Sequence, residues 1–309
     1  MTGRNFPKLR TKLKTQFPRP KIRLEAEMQA PPKTNNYAIV GAAFDYLYRF
    51  SIEAHLSQSP EVDLAVSETV AEKVYNRYKE EYKEKPKKQG PVDSLDSELE
   101  MAAAASKYML DINRYNQWKA AEEAITDAIS EVENFRKTKE ISRGLIHACI
   151  VLAKVDLIAR SGRIDDEFDN VKPDDINDLE NLLSIVPDRM LNPQNRIVLN
   201  PVFPVSGIGA DGDLILDDML IDIKTTKNLK IDRAMLNQLI CYYTGALQAE
   251  MFNSDHPLKK PGIYFARHGY LWTIDTQEMG ATEDFLDFGE WLRNYIDTRD
   301  PMKKESPDL

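Results

Sequence analysis

Within DGDLILDDMLIDIKTTK, residues 211–227, two carboxylates and an amine stand where one face of a sheet would have to carry all three: Asp213, Asp222 and Lys224. If Asp217-Asp218 is the two-residue loop of a hairpin, Leu216 faces Met219, Ile215 faces Leu220, Leu214 faces Ile221 and Asp213 faces Asp222. Leu214, Leu216, Met219, Ile221 and Ile223 then form a core face. The opposite face carries Asp211, Asp213, Asp222 and Lys224, with Ile215 and Leu220 near the tip. Two carboxylates at about 4 Å repel by about 4 kcal/mol at an effective dielectric of roughly 20. Solvent, Lys224 or a divalent cation must offset that. Carboxylate oxygens are hard ligands suited to Mg²⁺ or Mn²⁺, and a neighbouring lysine can orient an attacking water and stabilise charge on a phosphoryl oxygen. That is the chemistry of a metal-dependent phosphodiesterase. A hairpin with one solvated charged face is the competing reading, and Glu81-Tyr82-Lys83 in an expected helix matches acid-x-Lys as well.

The elements around this segment follow from periodicity. Residues 1–36 are basic and punctuated by Pro7, Pro18, Pro20, Pro31 and Pro32, which predicts an extended arm. Tyr37, Val40, Phe44, Leu47 and Phe50 recur at helical spacing over 36–56. Further helices are expected at 66–82, 96–116, 118–138, 142–160 and 174–185. From Arg196 to Lys224 the period is that of strands, with turns at Asn200-Pro201 and Ser206-Gly207. A helix over 232–250, two strands joined by His268-Gly269 and a helix over 281–296 complete the order. This predicts an α/β chain of mixed α+β character, with a small mixed central sheet flanked by helices.

Composition narrows the classes. Two cysteines, Cys149 and Cys241, exclude a disulfide framework or a four-thiolate cluster, and a reducing, cytoplasmic setting is expected. Four scattered histidines exclude a histidine-rich metal centre. No apolar run approaches the roughly 20 residues that span a bilayer, so no membrane association is expected. The basic N-terminus lacks the apolar centre of a secretory signal. The formal net charge is −9, which by itself counts against a nucleic-acid binder. The charge is uneven, however. Residues 1–24 hold lysines and arginines and no acid, and Lys83, Lys85, Lys87 and Lys88 form a second basic cluster, while acid gathers in 163–180.

Taken together, the motifs resemble the PD-(D/E)XK nuclease superfamily, in its RecB-like branch. The acid entering the hairpin is Asp213, and acid-x-Lys is Asp222-Ile223-Lys224. The Gln-x-x-x-Tyr helix that follows is Gln238 to Tyr242 in LNQLICYY, and the earlier Gly-x-x-x-His helix corresponds to Gly41 to Asp45, with Asp45 in place of the histidine. The resemblance covers roughly 40–55 and 205–245. It implies a restriction-endonuclease-like core over 37–309, with a helical insertion at about 59–140 behind the arm of 1–36. It further implies that Asp45, Asp213, Asp222 and the Ile223 carbonyl ligate Mg²⁺ or Mn²⁺, and that Lys224 positions the water. Gln238 would lie near that water or Lys224, and Tyr242 near the scissile strand. The activity implied is hydrolysis of single- or double-stranded DNA, in repair, recombination or defence.

Two other classes fit the same residues: a nucleic-acid-binding module of this fold that does not cleave, and a structural interaction protein whose charged face is merely solvated. Asp45 would then be an exposed helix residue, Gln238 and Tyr242 an i,i+4 surface pair, and Asp156 and Arg160 an intrahelical ion pair. Arg267 and His268 sit at a strand end, on a hairpin surface or within reach of phosphate. The basic arm and Lys83–Lys88 are candidate phosphate contacts or ordinary solvated charge.

Overall fold

The computed structural model describes residues 7–56, 63–66, 76–77, 79–81, 83–85, 98–161, 168, 170–205, 208–248 and 257–298; at 63–66, 98–105, 120, 159–161, 204–205 and 208–211 it describes the backbone alone. The chain is a mixed α+β protein that divides into two compact units. One comprises Met1–Pro32, His55–Ser67 and Ser184–Leu309; the other comprises Lys33–Ala54 and Glu68–Leu183. No helix among the described residues is long and apolar enough to cross a membrane.

The first unit holds the sheet. Its strands are β1 (Asp63–Val66), β2 (Arg196–Leu199), β5 (Leu214–Leu216), β6 (Met219–Lys224), β7 (Lys260–Phe265) and β8 (Tyr270–Thr273), in the order β1-β2-β5-β6-β7-β8. Two junctions are parallel, β1 with β2 and β6 with β7. Parallel neighbours need a crossover, which helix α7 (Arg233–Gln248) supplies between β6 and β7. Strands β3 (Val202–Val205) and β4 (Ile208–Asp211) form a separate two-stranded sheet. The register within the central hairpin is the one expected, Leu216 opposite Met219 and Leu214 opposite Ile221. Asp217 takes the left-handed φ of 51° that so tight a loop requires, and its carboxylate accepts from the backbone N–H groups of Gln194, Asn195 and Arg196.

The faces differ from expectation. Ile215 and Leu220, placed near the tip of a charged face, belong to the main apolar cluster, together with Leu236, Leu239 and Ile240 of α7. Leu214, Leu216 and Ile221 on the other face are buried as well, at 1% exposure each. The sheet is therefore apolar on both faces at the hairpin, and the charges sit at the end of the face that α7 covers.

The N-terminal segment also departs from an extended arm. Residues Pro7–Gln16 form helix α1, and Leu9, Leu13 and Phe17 bury themselves in the same cluster. Proline is tolerated at a first helical position, and Pro18 falls just past the end, so the prolines bracket the helix instead of breaking it. The final helix, α9 (Thr282–Asp297), packs on α1 through Phe17 and Phe285, whose rings lie 4.8 Å apart.

The second unit is helical. Helix α2 (Tyr37–Leu56) buries half of its residues and helix α4 (Arg143–Ser161) most of them. The two helices expected at 96–116 and 118–138 are one, α3 (Glu98–Thr138). No breaker interrupts Asn116-Gln117-Trp118, and Trp118, Ala121, Ile125, Ala128, Val132 and Phe135 continue one buried stripe. Helix α5 (Pro173–Ser184) follows, and α6 (Asp188–Leu191) and α8 (Thr276–Met279) are short connectors of the first unit. The helix expected over 66–82 lies mostly outside the described residues, and its first position, Val66, closes strand β1 instead. Of the Lys83–Lys88 cluster only 83–85 are described.

Candidate active site

The site begins with a bend. Strands β2 and β3 face β5 and β4 in one continuous register, from Ile197 opposite Leu216 to Val205 opposite Ile208. Between the halves, Asn200 N–H donates to Asp213 O at 3.1 Å and Gly212 N–H donates to Pro201 O at 2.8 Å. Adjacent residues on one flat strand cannot both bond to the same partner, because bonded and non-bonded pairs alternate. Asn200 resolves this with a left-handed φ of 54°, which rotates the chain between the halves. Gly212 fits the inside of the bend. A Cβ there would lie 2.7 Å from the Phe203 ring and 3.2 Å from Pro201 Cγ.

The bend takes β5 away from β6 after the Leu214–Ile221 pair. In a flat hairpin, Gly212 would bond Ile223 next. Instead the Asp213 carboxylate reaches across, and its Oδ2 accepts the Ile223 N–H at 2.6 Å. The Asp213 side chain is thus held at the peptide that joins Asp222 to Ile223. Its Oδ1 makes no hydrogen bond among the described residues. A strand residue points its N–H and C=O to the same edge, so the Ile223 carbonyl faces this side too.

Asp222 and Lys224 alternate with Leu220 and so face α7. The Asp222 side chain is 1% exposed and Lys224 24%, and Lys224 Nζ lies 2.6 Å from Asp222 Oδ2. A buried carboxylate without compensation costs several kcal/mol, and this ammonium is its neutralising partner. Lys224 Nζ also donates to Gln238 Oε1 at 3.3 Å, and Gln238 Nε2 donates to the Tyr242 hydroxyl at 2.7 Å. The hydroxyl accepts this bond through a lone pair. Tyr242 in turn packs against Phe203, ring centroids 5.8 Å apart. Asp213, Asp222, Ile223, Lys224, Gln238 and Tyr242 therefore form one connected group in the first unit.

Asp45 lies on α2 in the second unit, where Arg49 one turn along pairs with its carboxylate. Among the described residues, no three or more His, Cys, Asp or Glu are grouped so as to hold a metal ion. The set in the first unit is two carboxylates and a backbone carbonyl. That is an all-oxygen set of the kind a hard cation uses when water and substrate phosphate complete its shell. Burial pushes the thiol of Cys241, the residue before Tyr242, up to about 12, so it is protonated at neutral pH.

Arg267 was expected on a hairpin surface or against phosphate. It is fully buried, and it donates from Nε to Thr225 O and from Nη1 to Ala30 O, both at 3.1 Å. Its role is to hold the backbone directly after Lys224. The sequence offered no sign of this, nor of Phe203 and Gly212 as the inside of the bend. The Asn-Pro dipeptide at 200–201 was the one signal for the bend, and it reads equally well as an ordinary turn. No protein-family model, no curated protein and no solved structure matches the chain.

Proposed function

We propose that the protein is a metal-dependent nuclease that hydrolyses DNA phosphodiester bonds. The observation that carries this reading is the pairing of a nearly fully buried carboxylate, Asp222, with a second carboxylate on the edge of the same strand and with Lys224. A surface hairpin has no reason to bury charge in this way. Asp213, Asp222 and the Ile223 carbonyl would hold Mg²⁺ or Mn²⁺, which when bound supplies Lewis acidity and a water acidic enough to attack at neutral pH. Lys224 is placed to hold that water's position and to offset negative charge as it develops on the phosphoryl oxygens. Gln238 fixes the ammonium through its carbonyl oxygen, and through its amide it sets the Tyr242 hydroxyl, which can donate to a phosphate oxygen. Ile263 and Phe265, the β7 partners of Asp222 and Lys224, are fully buried and keep the floor of the site dry. Each charge interaction there is stronger than it would be in water.

The test is cleavage of end-labelled single- and double-stranded DNA in Mn²⁺, Mg²⁺ or EDTA, by wild type and by Lys224→Ala. The expected result is metal-dependent cutting that the variant lacks. Absence of cutting by folded wild type in either metal, or undiminished cutting by the variant, would overturn the proposal.

A further inference from the structure

Helix α1 buries its apolar stripe and turns a face of one charge sign outward. Leu9 and Leu13 are 3% and 2% exposed. Lys8, Arg10, Lys14 and Lys21 are exposed and make no side-chain hydrogen bond or ion pair among the described residues. No acidic residue occurs between Pro7 and Leu24, in a chain whose net charge is −9. Two contacts fix this segment beside the candidate site. Arg233, at the start of α7, donates to Phe17 O at 2.8 Å and to Leu13 O, so it caps the C-terminal end of α1. Gln238 stands five residues further along the same helix, a rise of about 7.5 Å. Arg19 donates to Ile231 O at 2.6 Å, which brings residues 19–21 against the loop from β6 to α7, where Lys230 is exposed. Burial, and then the proximity of Arg19, lower the pKa of Arg233. Cations are thus crowded where a bound anion would relieve them.

We infer that the exposed cations of α1 and residues 19–21, continued by Lys230, form a track for the phosphodiester backbone of a DNA strand leading to the candidate site. The destination rests on the nuclease reading; the track itself does not. A membrane surface is the other partner for a basic amphipathic helix, but that needs a free apolar face, and here the core occupies it. Exposed Glu283, Asp287 and Glu290 on the neighbouring α9 bound the track on one side with opposite charge. Ten residues of helix span about 15 Å, room for about four phosphates at the roughly 3.4 Å axial spacing of one B-form strand.

The test replaces Lys8, Arg10, Lys14 and Lys21 together by alanine, which keeps the helical positions helical. A control replaces the exposed Lys107, Arg114, Lys137 and Lys172 of the second unit, for the same change in net charge. Binding of fluorescein-labelled single- and double-stranded oligonucleotides is read by anisotropy in EDTA, from about 50 to 200 mM salt. The track variant should bind at least tenfold more weakly at about 0.1 M salt. The slope of log affinity against log salt should flatten by about 2–4, given about 0.7 to 0.9 for each phosphate contact. The control should match wild type. An unchanged slope in the track variant, an equal loss in the control, or no DNA binding by wild type overturns the inference. Catalysis is read separately. Wild type that binds through the track yet never cuts in Mn²⁺ refutes the nuclease alone; cutting by wild type with an unchanged slope in the track variant refutes the track alone.

Discussion

Asp213 has two tasks that substitution can separate. Its Oδ2 accepts the Ile223 N–H at 2.6 Å, and its charge belongs to the proposed cation site. Asp213→Asn keeps an acceptor at the same position and removes the charge; Asp213→Ala removes both. Each variant equally relieves any repulsion with Asp222, so the difference between them reads the hydrogen bond with the charge effect cancelled. Leaving a partly buried N–H without its acceptor costs about 1–3 kcal/mol. At about 2–4 °C per kcal/mol for a unit of this size, the alanine variant should melt about 2–12 °C below the asparagine variant. The assay is calorimetry in EDTA, followed by DNA cleavage in Mn²⁺. Asparagine should sit within about 1 kcal/mol of wild type, since lost charge assistance and relieved repulsion oppose each other. Neither variant should cut. Equal melting of the two variants would remove Asp213 from the strand, and cutting by Asp213→Asn would remove its charge from the chemistry.

Saturating Mn²⁺, at about 100 times its dissociation constant, should stabilise wild type by about 2.7 kcal/mol and leave the melting of Asp222→Asn unmoved; an equal shift in both would place the ion elsewhere. Gly212→Ala should cost about 1–3 kcal/mol through the Phe203 ring, and Phe203→Leu should recover at least about 1 kcal/mol of it in a double-mutant cycle, whereas additivity within about 0.5 kcal/mol would refute the steric account. The Cys241 thiol, ordinarily near 9, is raised to about 12 by burial, so the unfolded chain loses this proton first. The contribution of this thiol to stability is therefore full below about pH 9 and is lost at about 1.4 kcal/mol per pH unit toward about pH 12, beside parallel losses from the buried Cys149, Tyr243 and Tyr264, whose pKa values burial also raises. Cys241→Ala should flatten that limb in denaturant titrations, and an unchanged slope would show that the thiol is not buried in solution.

Much of the sheet was legible because strand periodicity leaves few registers. Once Asp217-Asp218 is the loop, the pairing of Leu214 through Ile221 follows, and a one-residue slip would turn every apolar side chain over. The helix carrying Gln238 and Tyr242 was legible for the same reason, with Leu236, Leu239, Ile240 and Tyr243 on one stripe. What escaped depends on distant contacts. The Leu9, Leu13 and Phe17 stripe was present at helical spacing, but charge and proline outweighed it, and only its burial against Phe285 and Phe288 decides for a helix. Strand β1 is four residues long, and among the described strands its pairing partner is β2. Alternation along the hairpin divided Leu214 through Ile221 between two faces but could not tell which one α7 would cover, because both carry leucine and isoleucine.

The expected opposition of Asp213 and Asp222 across a ladder is also where local reasoning met its limit, and the bend shows why. On a flat strand the Asp213 side chain would stand perpendicular to the sheet, and the Ile223 N–H would belong to Gly212. Rotating the chain at Asn200 turns Gly212 to Pro201 and gives the vacated position to a carboxylate. The Ile223 donor is not orphaned, as its bond persists with a side-chain acceptor in place of a carbonyl. The two carboxylates thereby receive different partners, a peptide N–H for Asp213 and an ammonium for Asp222. Two carboxylates and one ammonium keep one net negative charge, which the cation of the proposed site would offset. An ordinary hairpin thus takes the form that the proposed cation site requires, through one left-handed residue, one missing Cβ and one exchanged hydrogen bond.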